Sequence, residues 1–195
     1  SPMIDHRSQH AVANALRRIH LLPLADLVLL AWHVVRTLPA HLRFRLSHAG
    51  VPVPPPRLSF DAYGHVDHGR YFASGERDAR VITQLIESHL HRDGLRVCEW
   101  GCGPGRVIRH LERLLAARHP SIYGTDYNAQ TVAWCRAHLP GISFERNELS
   151  PPLAFEDGCF DAVYALSVFT HLSRERHFEW IAELRRVLRP GGIVI

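Results

Sequence analysis

Three glycines at alternate positions, Gly101, Gly103 and Gly105, follow a carboxylate, Glu99, with Cys102 between the first two. Without Cβ atoms such a run turns tightly and lets a ligand touch its backbone. Where the run opens a helix, the N–H groups at the helix start favour a negative group. A second acid, Asp126, stands about 20 residues further on, where a carboxylate can accept hydrogen bonds from both hydroxyls of a ribose. Tyr127 next to it offers an aromatic face to a flat ring. Asn147 and Glu148 form a third polar group, and Ser167 with His171 a fourth. His171 has the chemistry of a general base, and equally that of a capping or packing residue ahead of Ser173. Two further sets of metal-ligating residue types do not read as metal sites. His65 and His68 lie three apart in a loop with no third ligand evident, and Cys98 falls in a strand while Cys102 falls in the glycine loop.

These groups can meet only if regular elements bring them to one edge. Leu95 to Trp100 is a short apolar run, expected as a buried strand at 96–100. Val107, Ile108, Leu111, Leu114 and Leu115 recur at helical spacing, which predicts a helix at 106–117. Strands are expected at 121–125, 142–146 and 160–166, and a fifth is expected to begin at Ile193 after a stop at Arg189-Pro190-Gly191-Gly192. Helices are expected from an Asn128 cap to Leu139 and from a Ser173 cap to Leu188. Strand and helix alternate, the signature of a doubly wound, mostly parallel α/β sheet. Ligands of such sheets bind at the carboxyl ends of the strands, where the topology reverses. The glycine loop, Asp126, Asn147–Glu148 and Ser167 each directly follow one of the first four strands.

The wording Glu-x-Gly-x-Gly-x-Gly at 99–105 resembles the first motif of the class I S-adenosylmethionine (SAM) methyltransferases. Phe160-Asp161-x-Val163 and Leu188-Arg189-Pro190-Gly191-Gly192 look like the same family, so the resemblance runs from 96 to 192. The dinucleotide fingerprint fits less well, because Arg106 stands where it needs a third glycine. The resemblance implies a Rossmann-like sheet with SAM bound at the glycine loop, around Gly101, Cys102, Gly103 and Gly105. Gly101 and Gly103 would contact the methionine portion, Glu99 would orient its ammonium and Asp126 would hold the ribose. Tyr127 would pack beside the adenine, Asn147 or Glu148 would meet its edge, and Ser167 would lie near the reaction centre with His171 as the base. A small-molecule or sugar-containing acceptor is expected, since Ser-Val-Phe-Thr-His-Leu at 167–172 is similar to a bacterial group with varied acceptors. Two alternatives stay open: a non-catalytic SAM-binding or protein-interaction module, and an NAD-dependent oxidoreductase. The family's complete sheet has seven strands, so the chain reads as truncated at the start of the fifth.

The chain has 195 residues, 46% of them hydrophobic, enough for one domain with an extension. Its 23 basic residues are all arginine, its formal net charge is +4, and no basic run exceeds two residues, so charge does not indicate a nucleic-acid partner. Four cysteines make no disulfide framework in a domain this size. Ser1-Pro2 reads as a non-native lead-in to Met3, no secretory signal follows it, and a cytoplasmic location is expected. Three regions are expected: an N-terminal helical extension at 1–50, a Pro-rich linker and lid at 51–77, and the SAM-binding domain at 78–195. Val12 to Ile19 has a short helical pattern. The stretch 24–36 is the most apolar and too short to span a bilayer. It reads either as a helix packed on the domain or a partner, or as an interfacial helix peripheral to the inner membrane, with Trp32 at headgroup depth. Residues 58–75 read as a loop carrying Phe60, Tyr63, Tyr71 and Phe72, with Tyr71 to Gly75 approaching the cofactor and Gly69 or Gly75 as a hinge.

Overall fold

The computed structural model describes residues 22–195; the pattern at 12–19 lies outside them. Five strands form one all-parallel sheet in the order β3-β2-β1-β4-β5: β1 (Arg96–Trp100), β2 (Ser121–Asp126), β3 (Ile142–Arg146), β4 (Phe160–Tyr164) and β5 (Leu188–Val194). The chain leaves β1 toward β2 and β3, then returns to β4 on the other flank of β1. The topology therefore reverses at β1, and a crevice opens beyond the carboxyl ends of β1 and β4. All five residues of β4 are buried, as are four of the five in β1. That is the burial expected of central parallel strands covered on both faces.

Two apolar layers cover the sheet. One, around Ile82, Ile86, Ile108, Leu111 and Cys135, packs the helices α3 (His68–His89), α4 (Leu111–Leu114) and α5 (Ala129–His138) against it. The other packs α6 (Arg174–Val187) through Trp180, Leu184 and Val187, with the Trp180 ring 4.3 Å from that of Trp100. The helix starts follow their caps. Asn128 accepts from the N–H groups of Gln130 and Thr131, at 2.9 and 3.3 Å, and Ser173 caps α6.

The structure corrects several boundaries. The helix expected at 106–117 is broken: a 3-10 turn at Ile108–His110, the single turn α4, and a second 3-10 turn at Ala116–Arg118. His119 then turns left-handed at φ 47°, and Pro120 after it bars further helix. The fourth strand ends two residues early, and Ser167 shortly beyond it is left-handed at φ 62°. The expected stop at 189–192 lies inside β5 as a bulge. Leu188 already pairs with Phe160, and Ile193 pairs with Ala162, so a step of two residues on β4 answers a step of five on β5.

The stretch 58–75 is not a loop. It holds α2 (Pro56–Tyr63) and the first two turns of α3. Proline at the first turn of α2 and Gly64 at its left-handed cap, φ 66°, bound that helix, and Asp67 caps α3 by accepting from the Arg70 N–H at 3.0 Å. The buried face of α3 reads His68, Tyr71, Gly75, Ala79, Ile82, Ile86, a helical period that starts with residues of mixed polarity. Gly75 is no hinge. A Cβ there would lie 2.0 Å from the Arg106 carbonyl oxygen, so this glycine lets α3 press against the loop after β1.

Ahead of these lies α1 (Leu22–Ser47), wider than the apolar stretch at 24–36. Its inner face docks on α2 and α3. The His33 ring lies 5.3 Å from Phe60, His41 stacks on His68 at 4.0 Å, and Phe44 stacks on Phe72 at 4.8 Å. His68 is thus an interior packing residue; burial and the neighbouring His41 push its pKa down to about 4. The outer face carries Val28, Trp32, Val35, Leu42 and Leu46, all at least 56% exposed. Among the described residues no helix is long and apolar enough to cross a membrane.

Candidate active site

A cleft of about 630 Å³ opens beyond β1 and β4. That is within the range of small-molecule sites, roughly 300–1,000 Å³. Gly101, Gly103, Asp126, Tyr127, Asn147, Glu148, Ser167 and His171 all line it, so eight residues singled out from sequence meet at one place.

The loop after β1 is built to hold its own shape. The N–H groups of Gly101 and Cys102 both donate to the Thr125 carbonyl, at 2.8 and 2.9 Å, tying the loop to β2. Gly101, Gly103 and Gly105 have φ of 76°, 51° and 76°, left-handed values that suit glycine. The three glycines face different neighbours. A Cβ at 101 would meet Val168, one at 103 the Tyr63 hydroxyl at 2.8 Å, and one at 105 the Leu139 side chain. Gly105 therefore serves packing against α5 rather than the cleft. Cys102 also turns inward, 1% exposed beside Cys135, where hydrogen bonding with Cys135 and burial push its thiol pKa up. Neither lines the cleft.

Glu99 is the third of these sequence candidates behind the cleft wall. Its carboxylate accepts from the Tyr164 hydroxyl at 2.9 Å and from the Ile108 N–H at 3.1 Å, with only 3% of the residue exposed. Burial pushes its pKa up to about 8, against the opposing pull of those two donors and the Arg106 guanidinium. The folded protein thus binds this proton more tightly than the unfolded chain does. Stability from this group falls as pH rises from the ordinary glutamate value through about 8, where the buried carboxylate ionises. Glu99→Gln keeps the acceptor oxygen and removes the charge. The variant is expected to melt at a higher temperature than the parent above pH 8 and to match it near pH 4. Equal melting temperatures at pH 9 would contradict a Glu99 pKa raised by burial.

Asp126 is 7% exposed, with one oxygen accepting from the Gly103 N–H at 2.9 Å and the other from the Asn128 N–H at 2.8 Å. Burial raises its pKa, and the two backbone donors oppose the rise. One carboxylate thus links the glycine loop to the start of α5 and still faces the cleft. Asn147, 8% exposed, gives its amide N–H to the Glu148 carbonyl at 2.8 Å, while its Oδ1 is buried with no hydrogen-bond partner among the described residues. An orphaned acceptor in a cleft wall is costly unless a ligand supplies a donor. Tyr127 is 58% exposed at the cleft edge. Ser167 and His171 are exposed at the mouth, with Thr170 donating to the Ser167 carbonyl at 2.7 Å.

Sequence reasoning missed one wall. Leu58, Asp61, Ala62 and Tyr63 of α2 also line the cleft. The Tyr63 ring lies 5.4 Å beneath the Arg106 guanidinium and 5.5 Å from the Tyr71 ring. The signal was present, since Pro55-Pro56 ahead of an eight-residue run ending at Gly64 marks a short helix. Tyr71 to Gly75, expected to approach the cofactor, reaches the same loop from behind. The Tyr71 hydroxyl donates to the Pro104 carbonyl at 2.7 Å, and Gly75 lies against Arg106.

Residues 97–192 match the family model described as a methyltransferase domain. The chain is 38% identical over 125 residues to phthiotriol/phenolphthiotriol dimycocerosates methyltransferase 1 of Mycobacterium ulcerans, covering 61% of this chain and 43% of that protein. It is 34% identical over 120 residues to a probable S-adenosylmethionine-dependent methyltransferase of Mycolicibacterium smegmatis, again 61% and 43%. The matches thus span less than half the length of either relative. Among solved structures, DesVI of Streptomyces venezuelae superposes with a TM-score of 0.55 at 18% identity, over 73% of this chain and 57% of that one. A SAM-dependent methyltransferase of Aquifex aeolicus gives 0.52 at 17%, over 71% and 69%. Residues 97–192 thus match a methyltransferase domain, on a sheet with the fold of a solved SAM-dependent methyltransferase.

Proposed function

We propose that the protein transfers a methyl group from SAM to a small-molecule acceptor. The observation that carries this is the convergence of Gly101, Gly103, Asp126 and Asn147 on one cleft, with Ser167 and His171 at its mouth. SAM supplies a methyl on a sulfonium, an already activated group. What remains for the chain is to bind, orient and exclude water. The left-handed glycines 101 and 103 present backbone to the ligand. Asp126 offers its remaining lone pairs to ribose hydroxyls, and Asn147 Oδ1 offers an acceptor to the edge of the adenine, with Glu148 beside it. Glu99 acts through the loop, by fixing the Ile108 N–H below it, as a positioning residue. His171 stands where it can take a proton from an acceptor that must lose one on attack.

In this reading α2, rather than 71–75, is the lid. Addition of SAM is expected to slow amide hydrogen exchange in α2 at 58–63 and in the loop at 101–105. Exchange that SAM leaves unchanged in both segments would contradict the assignment of this cleft as the cofactor site.

A second feature bears on where the enzyme works. The exposed stripe of Val28, Trp32, Val35, Leu42 and Leu46 has Arg36, Arg43 and Arg45 on the same helix, the composition of an interfacial helix. The relatives whose names specify an acceptor act on phthiotriol and phenolphthiotriol dimycocerosates. We read α1 as a peripheral contact with an anionic lipid surface. Sedimentation with phosphatidylglycerol-containing vesicles is expected to carry the protein down. Replacing Trp32 and Val35 by serine should weaken this at least about 100-fold, the loss of two apolar side chains each worth about 1.5 kcal/mol or more when buried. Protein that stays in the supernatant at low salt would exclude it.

A further inference from the structure

A second hollow, of about 550 Å³, adjoins the cofactor cleft and shares Ala62, Tyr63, Leu166 and Ser167 with it. Its far wall is the α3 face of Arg70, Ser74 and Arg77, and its floor is Arg106. Three arginines line it and no carboxylate does. Arg106 is spoken for, paired with Asp78 at 2.6 Å and donating to Ser74 at 3.2 Å. Arg77 reaches the other Asp78 oxygen only at 3.4 Å with three quarters of its side chain exposed, and Arg70 forms no ion pair among the described residues. The nearby acids are thus Asp78, shared between two arginines, and Asp67, whose carboxylate caps α3. On the same wall, burial first and then the charges of Arg70 and Arg106 lower the pKa of His65, against the opposing charge of Asp67. The hollow is therefore electropositive where it meets Ser167.

We propose that this hollow seats the methyl acceptor and takes one bearing an anionic oxygen group, a phosphate or a carboxylate. This rests on the reading of the neighbouring cleft as the SAM site. Arg70 and Arg77 lie one helical turn either side of Ser74, whose hydroxyl is committed to the Tyr71 carbonyl and to Arg106, so two guanidinium groups line the hollow from one helix face, an arrangement suited to a group with several acceptor oxygens. The anion would be held on α3 while the rest of the acceptor extends past Tyr63 toward Ser167 and the cleft.

The test uses the 195-residue chain. Isotope-labelled protein saturated with SAM is titrated with inorganic phosphate and, separately, with acetate, at ionic strength held constant with chloride. Saturable amide shifts are expected at Arg70, Ser74, Arg77 and Ser167. The double variant R70A/R77A should bind the anion about tenfold more weakly, as expected for loss of charge-assisted contacts, with unchanged SAM affinity. Tighter binding of phosphate assigns a phosphorylated acceptor, and tighter binding of acetate a carboxylate. Shifts absent from these residues with both anions, or equal anion affinity in R70A/R77A, would overturn the proposal. If the unmutated protein bound anions here but no SAM, the methyltransferase reading would fall, and the acceptor role with it, while the anion site would stand.

Discussion

Gly103→Val is expected to abolish measurable SAM binding, a loss of at least about 100-fold or about 2.8 kcal/mol, in a protein that still unfolds cooperatively. Position 103 has φ 51°, and a β-branched residue held there is strained by roughly 1–3 kcal/mol. Its first side-chain carbon would also lie 2.8 Å from the Tyr63 hydroxyl and 3.6 Å from the Ala62 methyl. The Tyr63 side chain must shift to make room, and Tyr63 and Gly103 both line the cleft. The damage stays local, because the sheet and both apolar layers lie below. Calorimetric titration beside a thermal melt reads both halves. A folded variant that binds SAM with parental affinity would show that the ligand does not approach this loop.

Asp126→Ala is expected to weaken SAM binding by about 1.5–3 kcal/mol, the cost of removing hydrogen bonds to a charged group. The structure adds a second contribution. Without the carboxylate the Gly103 and Asn128 N–H groups lose their partner, so the loop loosens even before a ligand arrives. Asp126→Asn separates the two effects, since its amide oxygen can still accept from one of these donors while the charge is gone. The alanine variant should lose more affinity than the asparagine variant, and a folded alanine variant with unchanged affinity would remove Asp126 from the site.

The sheet was legible because its strands are short apolar runs bounded by glycine, proline and caps, and parallel strands covered on both faces need nothing subtler. Asn128 and Ser173 announced their helices, and the residues directly after each strand pointed to the cleft. Legibility failed where one residue type served a use that only tertiary contact defines. Gly75 reads as a breaker yet sits mid-helix, because α3 must touch the Arg106 backbone. His68 reads as polar yet stacks inside against His41. With such residues opening its buried face, the first turns of α3 carry no plain apolar period. The glycine motif, too, was read as one surface when its members face three ways. Gly101 and Gly103 line the cleft, and Gly105 lies on α5. Glu99 was expected to orient the ligand's ammonium and lies behind the cleft wall, a depth that strand alternation alone does not fix.

The central claim is that the cleft beyond β1 and β4 is a SAM site, and calorimetric titration of the unmutated chain with SAM, beside a matched titration with NAD, tests it most directly. Saturable binding of one SAM per chain with no heat from NAD is the expected result. Binding of NAD in place of SAM, or of neither by a folded protein, would contradict it.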